Sequence, residues 1–228
     1  MYKRLPRKKA GSSLSCALLA VESHLDYLIL TPWSERYDVT GVDPSRVADV
    51  IERDWIHLLH EKNILDSPSY LREGGKAVIE LWGMFSCRGF LSVDPAFIPY
   101  LLGFGFNNRG HTPEIVRAVT SFLRTNTPGG AYIIGGVPSQ WRTSEGDADR
   151  NQKFLDVWLT EFDAISPWTI GRYSNENEAD NFAEVRMKGD MELLKRRYES
   201  GLSKRIDYIP VVLPGGSVSA KIFIQEFI

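Results

Sequence analysis

Tryptophan, arginine and aspartate side chains gather where the short apolar segments of this sequence end. Apolar segments of this length, bounded by turn residues, are typical of buried strands. The carboxyl ends of parallel strands meet at one edge of a sheet, where barrel enzymes place their sites. Aromatic rings and hydrogen-bonding groups at that edge are suited to binding a ligand. The candidate site residues are Asp38, Trp82, Trp141, Arg142, Trp168 and Arg172.

Other site chemistries find less support in the sequence. His57 and His60 have the i, i+3 spacing of a metal pair, but they fall off the apolar stripe of their segment and no carboxylate is spaced to complete a site. Gly135-Gly136 allows a close approach of the backbone to a ligand or a neighbouring strand, but no helix start follows to cradle a phosphate. We therefore expect no metal and no cofactor.

Amphipathic helices alternate with the apolar segments from about residue 35 onward. Asp43-Pro44 and Thr112-Pro113 are helix starts, because an N-cap side chain precedes a proline at the first helical position. Further helices are predicted over 147–161 and 178–200, the latter with Phe182, Ala183, Met187, Leu194 and Tyr198 facing inward. Strands are predicted over 77–82, 130–137, 163–166 and 206–213.

This alternation predicts an α/β fold in which helices cover a parallel sheet. Two architectures fit the pattern: an open doubly wound sheet and a (β/α)8 barrel. A nucleotide-binding form of the doubly wound sheet is disfavoured, since neither GxGxxG nor GxxxxGK[ST] opens a helix.

Six segments at these strand ends resemble the glycoside hydrolase family 71/99-like proteins, barrels of the putative xylosidase/arabinosidase type. The segments, in chain order, are YDVTGVDPSRVADVIERDWIHLL, GKAVIELWG, GFGFNNRGHTPE, IIGGVPSQWRT, FDAISPWTIGRY and DYIPVVLPG. The resemblance implies that 35–215 is a partial (β/α)8 TIM barrel, with about five of the eight β/α units.

The resemblance also implies hydrolysis of an oligo- or polysaccharide, with the six candidate residues binding the carbohydrate substrate. Sugar rings stack on tryptophan faces, and Asp or Arg groups hold their hydroxyls. The other interpretation of these residues is structural, since tryptophan packs strands to helices and arginine caps helix ends. Trp55 and Trp158, on the core stripes of helices, are predicted to be packing residues.

Catalysis is a separate question, because glycoside hydrolysis uses two carboxylates and the resemblance puts the acidic pair on a later strand. Glu176 and Glu178 fit a charged helix start better than a catalytic pair. We therefore identify no catalytic residue and expect little hydrolase activity from this sequence as written. The alternatives are a non-catalytic carbohydrate-binding protein, a translated fragment without function, and an open-sheet protein for another ligand.

Three segments depart from the resemblance. Removal of 84–103 restores ELWG running into FGF, so this stretch is either a retained intron, translated in frame, or a true loop insertion. The start, 1–34, is poorly defined: it is either a weak signal peptide, or a disordered or wrongly assigned start. The complete family members are expected to be extracellular. The tail, 216–228, matches nothing in the family.

Composition narrows the classes of partner. The net charge of −2 gives no field that would attract nucleic acid or an anionic membrane. No apolar run reaches the roughly 18–20 residues that a membrane helix needs. The two cysteines form no CxxC pair, which argues against a zinc site or a disulfide framework. We expect a monomer whose partner is a carbohydrate.

Overall fold

The structure is a computed structural model that describes residues 33–39, 42–82, 104–107 and 110–211. The predicted insertion 84–103, the tail 216–228 and all but the end of the segment 1–34 lie outside the described residues. Six strands form one sheet: β1 Glu35–Asp38, β2 Arg72–Glu73, β3 Lys76–Trp82, β4 Ala131–Val137, β5 Ala164–Pro167 and β6 Asp207–Tyr208.

Helices connect the parallel strands. They are α1 Val47–His60, α2 Pro113–Asn126, α3 Lys153–Glu161, α4 Glu176–Phe182 and α5 Lys188–Glu199, and a π-helical turn, Ala183–Met187, joins the last two. The two predicted helix starts are confirmed. The Asp43 carboxylate accepts the Ser45 N–H at 2.9 Å and opens a 3-10 turn, Pro44–Arg46, that leads into α1. The Thr112 hydroxyl accepts the Ile115 N–H at 3.4 Å and caps α2.

The sheet is mostly parallel, and its strands are ordered as they occur in the chain. β1, β3, β4, β5 and β6 pair in that order, each in parallel with the next. β2 forms an antiparallel hairpin with β3 that the sequence analysis did not predict; Gly74 and Gly75, both with positive φ, form its turn. The predicted α/β class is confirmed.

The core lies between the helices and one face of the sheet. Side chains of Ile79, Ile133 and Ile165 are fully buried there, and the indoles of Trp55 and Trp158 pack from the helices. Both tryptophans thus have the packing role predicted for them. Because side chains alternate along a strand, the intervening residues lie on the opposite side of the sheet, here called the second face. Its residues include Arg36, Glu80, Trp82, Tyr132, Gly136 and Ser166.

Two sequence predictions about the helices are corrected by the structure. α3 begins at residue 153 rather than 147, because side chains of the preceding segment bind backbone N–H groups and hold it as a loop: Asp149 accepts from Asn151, and Asn151 accepts from Lys153. The prediction that Ala183 and Tyr198 face inward is wrong, since Ala183 is exposed in the π-helical turn and Tyr198 is 55% exposed near the end of α5.

The FGF segment of the resemblance forms part of the packed structure. Phe104 and Phe106 are buried, and Gly105, with φ of +70°, lies against Trp158, where a Cβ would come within 2.1 Å of the indole. Phe106 bridges Ala148 in antiparallel fashion. This short stretch therefore fixes the end of the β3–α2 connection to the loop that follows β4.

Candidate functional site

Two indoles meet at the carboxyl edge of the sheet. Trp82 ends β3 and Trp168 follows β5; their ring centroids lie 5.8 Å apart with the planes at 67°. Trp82 is 6% exposed, whereas Trp168 is half-buried, and the backbone N–H of Trp168 donates to the Val137 carbonyl at 3.0 Å. Between them β4 carries Gly136, where a Cβ would lie 2.5 Å from Cδ2 of Trp82. The close approach expected at Gly135-Gly136 is thus made to neighbouring aromatic side chains.

A charged pair lies beside this aromatic pair on the second face. Arg36 and Glu80 are register partners on β1 and β3, and Arg36 Nε donates to Glu80 Oε2 at 2.6 Å. The Ser34 hydroxyl donates to the other carboxylate oxygen at 2.8 Å. The Arg36 guanidinium also lies 6.0 Å from the Trp82 ring centroid, within cation–π range. The ion pair therefore fixes the orientation of the Arg36 guanidinium, which in turn lies against the ring of Trp82.

The sequence analysis did not include either member of this pair among the candidates. Glu80 is the charged residue within the apolar segment 77–82, and that exception was the available signal. A charge in a buried strand needs a partner of opposite charge close by. Arg36 could not be assigned as that partner without the strand register.

Trp141 and Arg142 converge on one buried carboxylate. Asp190, on α5, is 3% exposed and accepts from Trp141 Nε1 at 2.9 Å, from Arg142 Nε at 2.9 Å and from the Tyr208 hydroxyl at 3.2 Å. Burial raises the pKa of Asp190, and the hydrogen bonds from Arg142 and Trp141 oppose that shift. This arrangement ties the loop after β4 to α5 and β6.

A second carboxylate holds Arg172. Asp147 accepts from the Ser139 N–H at 2.9 Å, from the Ser139 hydroxyl at 3.0 Å and from the Gln140 N–H at 3.1 Å. Arg172 Nη2 donates to the same carboxylate at 2.5 Å. Asp147 thereby joins the loop after β4 to the loop after β5, on which Trp168 also lies.

The structure divides the six predicted site residues into three groups. Trp82 and Trp168 are in contact, and Asp38, the last residue of β1, is the register partner of Trp82. Trp141 and Arg142 lie around Asp190, and Arg172 lies on Asp147. Trp141 is 1% exposed, which leaves no ring face open to stack on a ligand. Trp168 is the tryptophan of the set that offers accessible surface.

Two of the remaining candidate acids and histidines, Glu178 and His57, have local partners. Glu178 accepts from the Ser174 N–H at 2.8 Å while Asn175 accepts from the Glu178 N–H at 3.0 Å, a reciprocal cap that starts α4. These hydrogen bonds lower the pKa of Glu178. His57 pairs with Glu61 at 3.0 Å. Within the described ranges, no group of three or more His, Cys, Asp or Glu side chains is placed to hold a metal ion.

Comparison with known proteins identifies no relative. No protein-family model matches the chain, and neither the curated proteins nor the solved structures include a match. As for membranes, the helices in the part of the chain that the structure describes are all too short or too polar to cross one.

Proposed function

We propose that the carboxyl edge of this sheet binds a carbohydrate, and that the sheet belongs to a (β/α)8 barrel of the glycoside hydrolase type. The observation that carries the proposal is the contact between Trp82 and Trp168, with the Arg36–Glu80 pair beside it. A half-buried indole offers an apolar ring face, and the adjacent guanidinium and carboxylate are suited to sugar hydroxyls. Both features lie on one edge of the sheet.

The order of the strands supports the barrel. A doubly wound sheet reverses its strand order at a switch point, whereas in a barrel each parallel strand lies beside the one before it in the chain. Here β1, β3, β4, β5 and β6 follow chain order without a reversal. Consecutive helices also pack side by side, α1 on α2 and α2 on α3, as in the outer layer of a barrel.

The family resemblance supports hydrolase activity, with the acidic pair expected on a later strand. A second candidate function, non-catalytic carbohydrate binding, is favoured by the state of the carboxylates at this edge. Glu80, Asp147 and Asp190 are each bound by an arginine, through Arg36, Arg172 and Arg142 respectively. Glycoside hydrolysis uses two carboxylates that face the scissile bond, whereas these three carboxylates are already engaged by arginine side chains.

The test is a binding titration with the full chain. Neutral xylo-, arabino-, gluco- and manno-oligosaccharides are added while calorimetry measures heat and intrinsic fluorescence reports the indoles. For whichever oligosaccharide binds, we expect Trp168→Ala to raise the Kd at least about tenfold, which corresponds to about 1.4 kcal/mol. The matched control is Trp33→Ala, which removes a 39% exposed tryptophan that contacts Tyr70.

Two results would contradict the proposal: no oligosaccharide binds the folded chain, or the two variants weaken binding equally. Release of reducing sugar from the bound oligosaccharide separates the two candidate functions. Hydrolysis supports the enzyme, and binding without hydrolysis supports the non-catalytic protein. Circular dichroism of each variant verifies that the fold is retained.

A further inference from the structure

The last two helices form one continuous helical run whose two ends carry opposite charge. Backbone angles at Phe182, Ala183, Met187 and Lys188 are all right-handed helical, so α4, the π-helical turn and α5 follow one another without a break. Residues 173–185 include four acidic side chains and no lysine or arginine, and we call this stretch the acidic end. Residues 195–205, the basic end, include five cationic side chains and one acid.

The acidic end is exposed, and part of its charge is not balanced. α4 and the π-helical turn contain no buried residue. Glu176 and Asp180 are four residues apart on α4, a spacing at which like charges repel, and neither forms an ion pair within the described residues. About one turn further on, Val185 is 54% exposed. This surface therefore favours a partner that brings cations and an apolar contact.

The basic end combines its cations with exposed apolar side chains. Gly201, with φ of +68°, ends α5, and the N–H groups of Leu202 and Ser203 both donate to the Arg197 carbonyl, at 2.9 and 3.3 Å. In such a turn the residue after the glycine commonly packs on an apolar side chain one turn earlier. Here the earlier position is Arg197, and Leu202 is 66% exposed. Leu202 and Tyr198, at 55%, are the two most exposed large apolar side chains in the described part of the chain.

The cations of the basic end are available to a partner. Arg196 forms no ion pair among the described residues, and its Nε donates to the Glu192 carbonyl at 3.2 Å. Arg205 lies 3.3 Å from Asp207, but its side chain is 79% exposed, and an ion pair in water contributes little. The helix dipole favours acids in the first turn and bases in the last. It accounts neither for Asp180 and Arg205, which lie outside those turns, nor for the exposed apolar side chains.

We propose that copies of this chain associate head to tail, with the acidic end of one copy docked on the basic end of the next. The two ends cannot meet within one molecule, because about 20 residues of continuous helix, or about 30 Å, separate Asp180 from Ser200. Since the two surfaces differ, the contact is heterologous and generates a ring or an open chain of copies. A head-to-tail assembly differs from the monomer expected from the sequence.

The experiment is sedimentation velocity of the full chain over a range of protein concentrations. We expect association at about 50 mM salt, with a Kd at least about tenfold higher at about 500 mM salt, because salt screens exposed charges. The acid-reversed variant carries Glu176→Lys and Asp180→Lys, and the base-reversed variant carries Arg196→Glu and Arg205→Glu. Each variant alone should remain monomeric, since its two ends then have the same sign of charge. Circular dichroism verifies that both are folded.

An equimolar mixture of the two variants tests the pairing itself. In the mixture, each end of one variant meets an end of opposite charge on the other, so association should return. The matched controls make the same charge changes on exposed residues elsewhere. They are Asp49→Lys with Asp156→Lys, and Arg53→Glu with Lys62→Glu, and both should associate like the natural sequence.

A natural sequence that stays monomeric at low salt would overturn the proposal, as would association that either charge reversal leaves unchanged. A mixture of folded variants that remains monomeric would overturn it too. Aggregation that is independent of salt would indicate pairing through the edge of the sheet instead. If a reversed variant does not fold, Glu176→Gln and Arg196→Gln replace it, and each should raise the Kd about threefold. None of these measurements uses a carbohydrate, so this assembly and the proposed binding function succeed or fail separately.

Discussion

The indole nitrogen of Trp141 donates a 2.9 Å hydrogen bond to Asp190, a residue 49 positions further along the chain. The same carboxylate binds Arg142 and Tyr208, so a single buried acid connects the loop after β4, the helix α5 and the strand β6. Such a contact determines where the loop lies at the carboxyl edge of the sheet, although Trp141 itself is closed to ligands.

Removal of the Asp190 carboxylate should be strongly destabilising. Asp190→Ala leaves the Trp141 N–H, the Tyr208 hydroxyl and the Arg142 guanidinium without their acceptor, and breaking a buried pair in this way costs about 3–5 kcal/mol. Chemical denaturation measures the free energy of unfolding. Asp180→Ala, an exposed site on α4, should change it by less than about 0.5 kcal/mol. Equal losses in the two variants would refute the role assigned to Asp190.

A methyl group at position 136 should displace the indole of Trp82. In Gly136→Ala the new Cβ would meet Trp82 Cδ2 at 2.5 Å, and overpacking of this kind costs about 1–3 kcal/mol. Near-ultraviolet circular dichroism should change as well, since the Trp82–Trp168 contact is altered. In the control Gly129→Ala nothing lies within 4 Å of the new Cβ, so only backbone strain at φ of +79° is expected. A near-ultraviolet spectrum unaffected by Gly136→Ala would contradict the packing described.

The sequence predicted the elements better than it predicted the site, for a physical reason. Helix caps and apolar periodicity are local, so the starts at Asp43 and Thr112 and the buried strand over 77–82 were recognisable. The partners of Arg172 and Arg142 are acids 25 and 48 residues away, and only the folded chain brings them together. Asp147 illustrates the difficulty: it was assigned to the start of a helix, whereas the structure uses its carboxylate to hold two loops.

The Asp147–Arg172 pair should show measurable coupling. In a double-mutant cycle of Asp147→Asn and Arg172→Gln, we expect an interaction energy of about 1–3 kcal/mol in the free energy of unfolding. Asp147→Asn alone should cost more than Arg172→Gln alone, because Asp147 also accepts from Ser139 and Gln140.

The control for this cycle pairs Asp147→Asn with Arg150→Gln. Arg150 lies in the same loop, but it donates to the Ser144 carbonyl rather than to Asp147. Its coupling to Asp147 should stay below about 0.5 kcal/mol. If Arg172 and Arg150 couple to Asp147 equally, the contact between the two loops does not contribute specifically to stability.

Acid should destabilise the fold through Asp163, which precedes β5. Its carboxylate accepts from the Ile133 N–H at 2.9 Å, from Lys204 at 2.7 Å and from Arg124 at 2.9 Å. Burial alone would raise the pKa of Asp163, but these partners together lower it below the ordinary value of 3.8. The stabilisation is therefore fully present above about pH 4 and is lost as the pH falls through the pKa of the folded chain.

Thermal unfolding between pH 2 and pH 6 measures this effect. The natural sequence should lose stability on acidification, and Asp163→Asn should be less stable at pH 6 but lose less on going to low pH, because its side chain does not titrate. Asp156→Asn, an exposed change on α3, should leave the acid profile as it is. If Asp163→Asn and the natural sequence lose stability in parallel below pH 4, the acid sensitivity arises from other carboxylates and Asp163 does not control it.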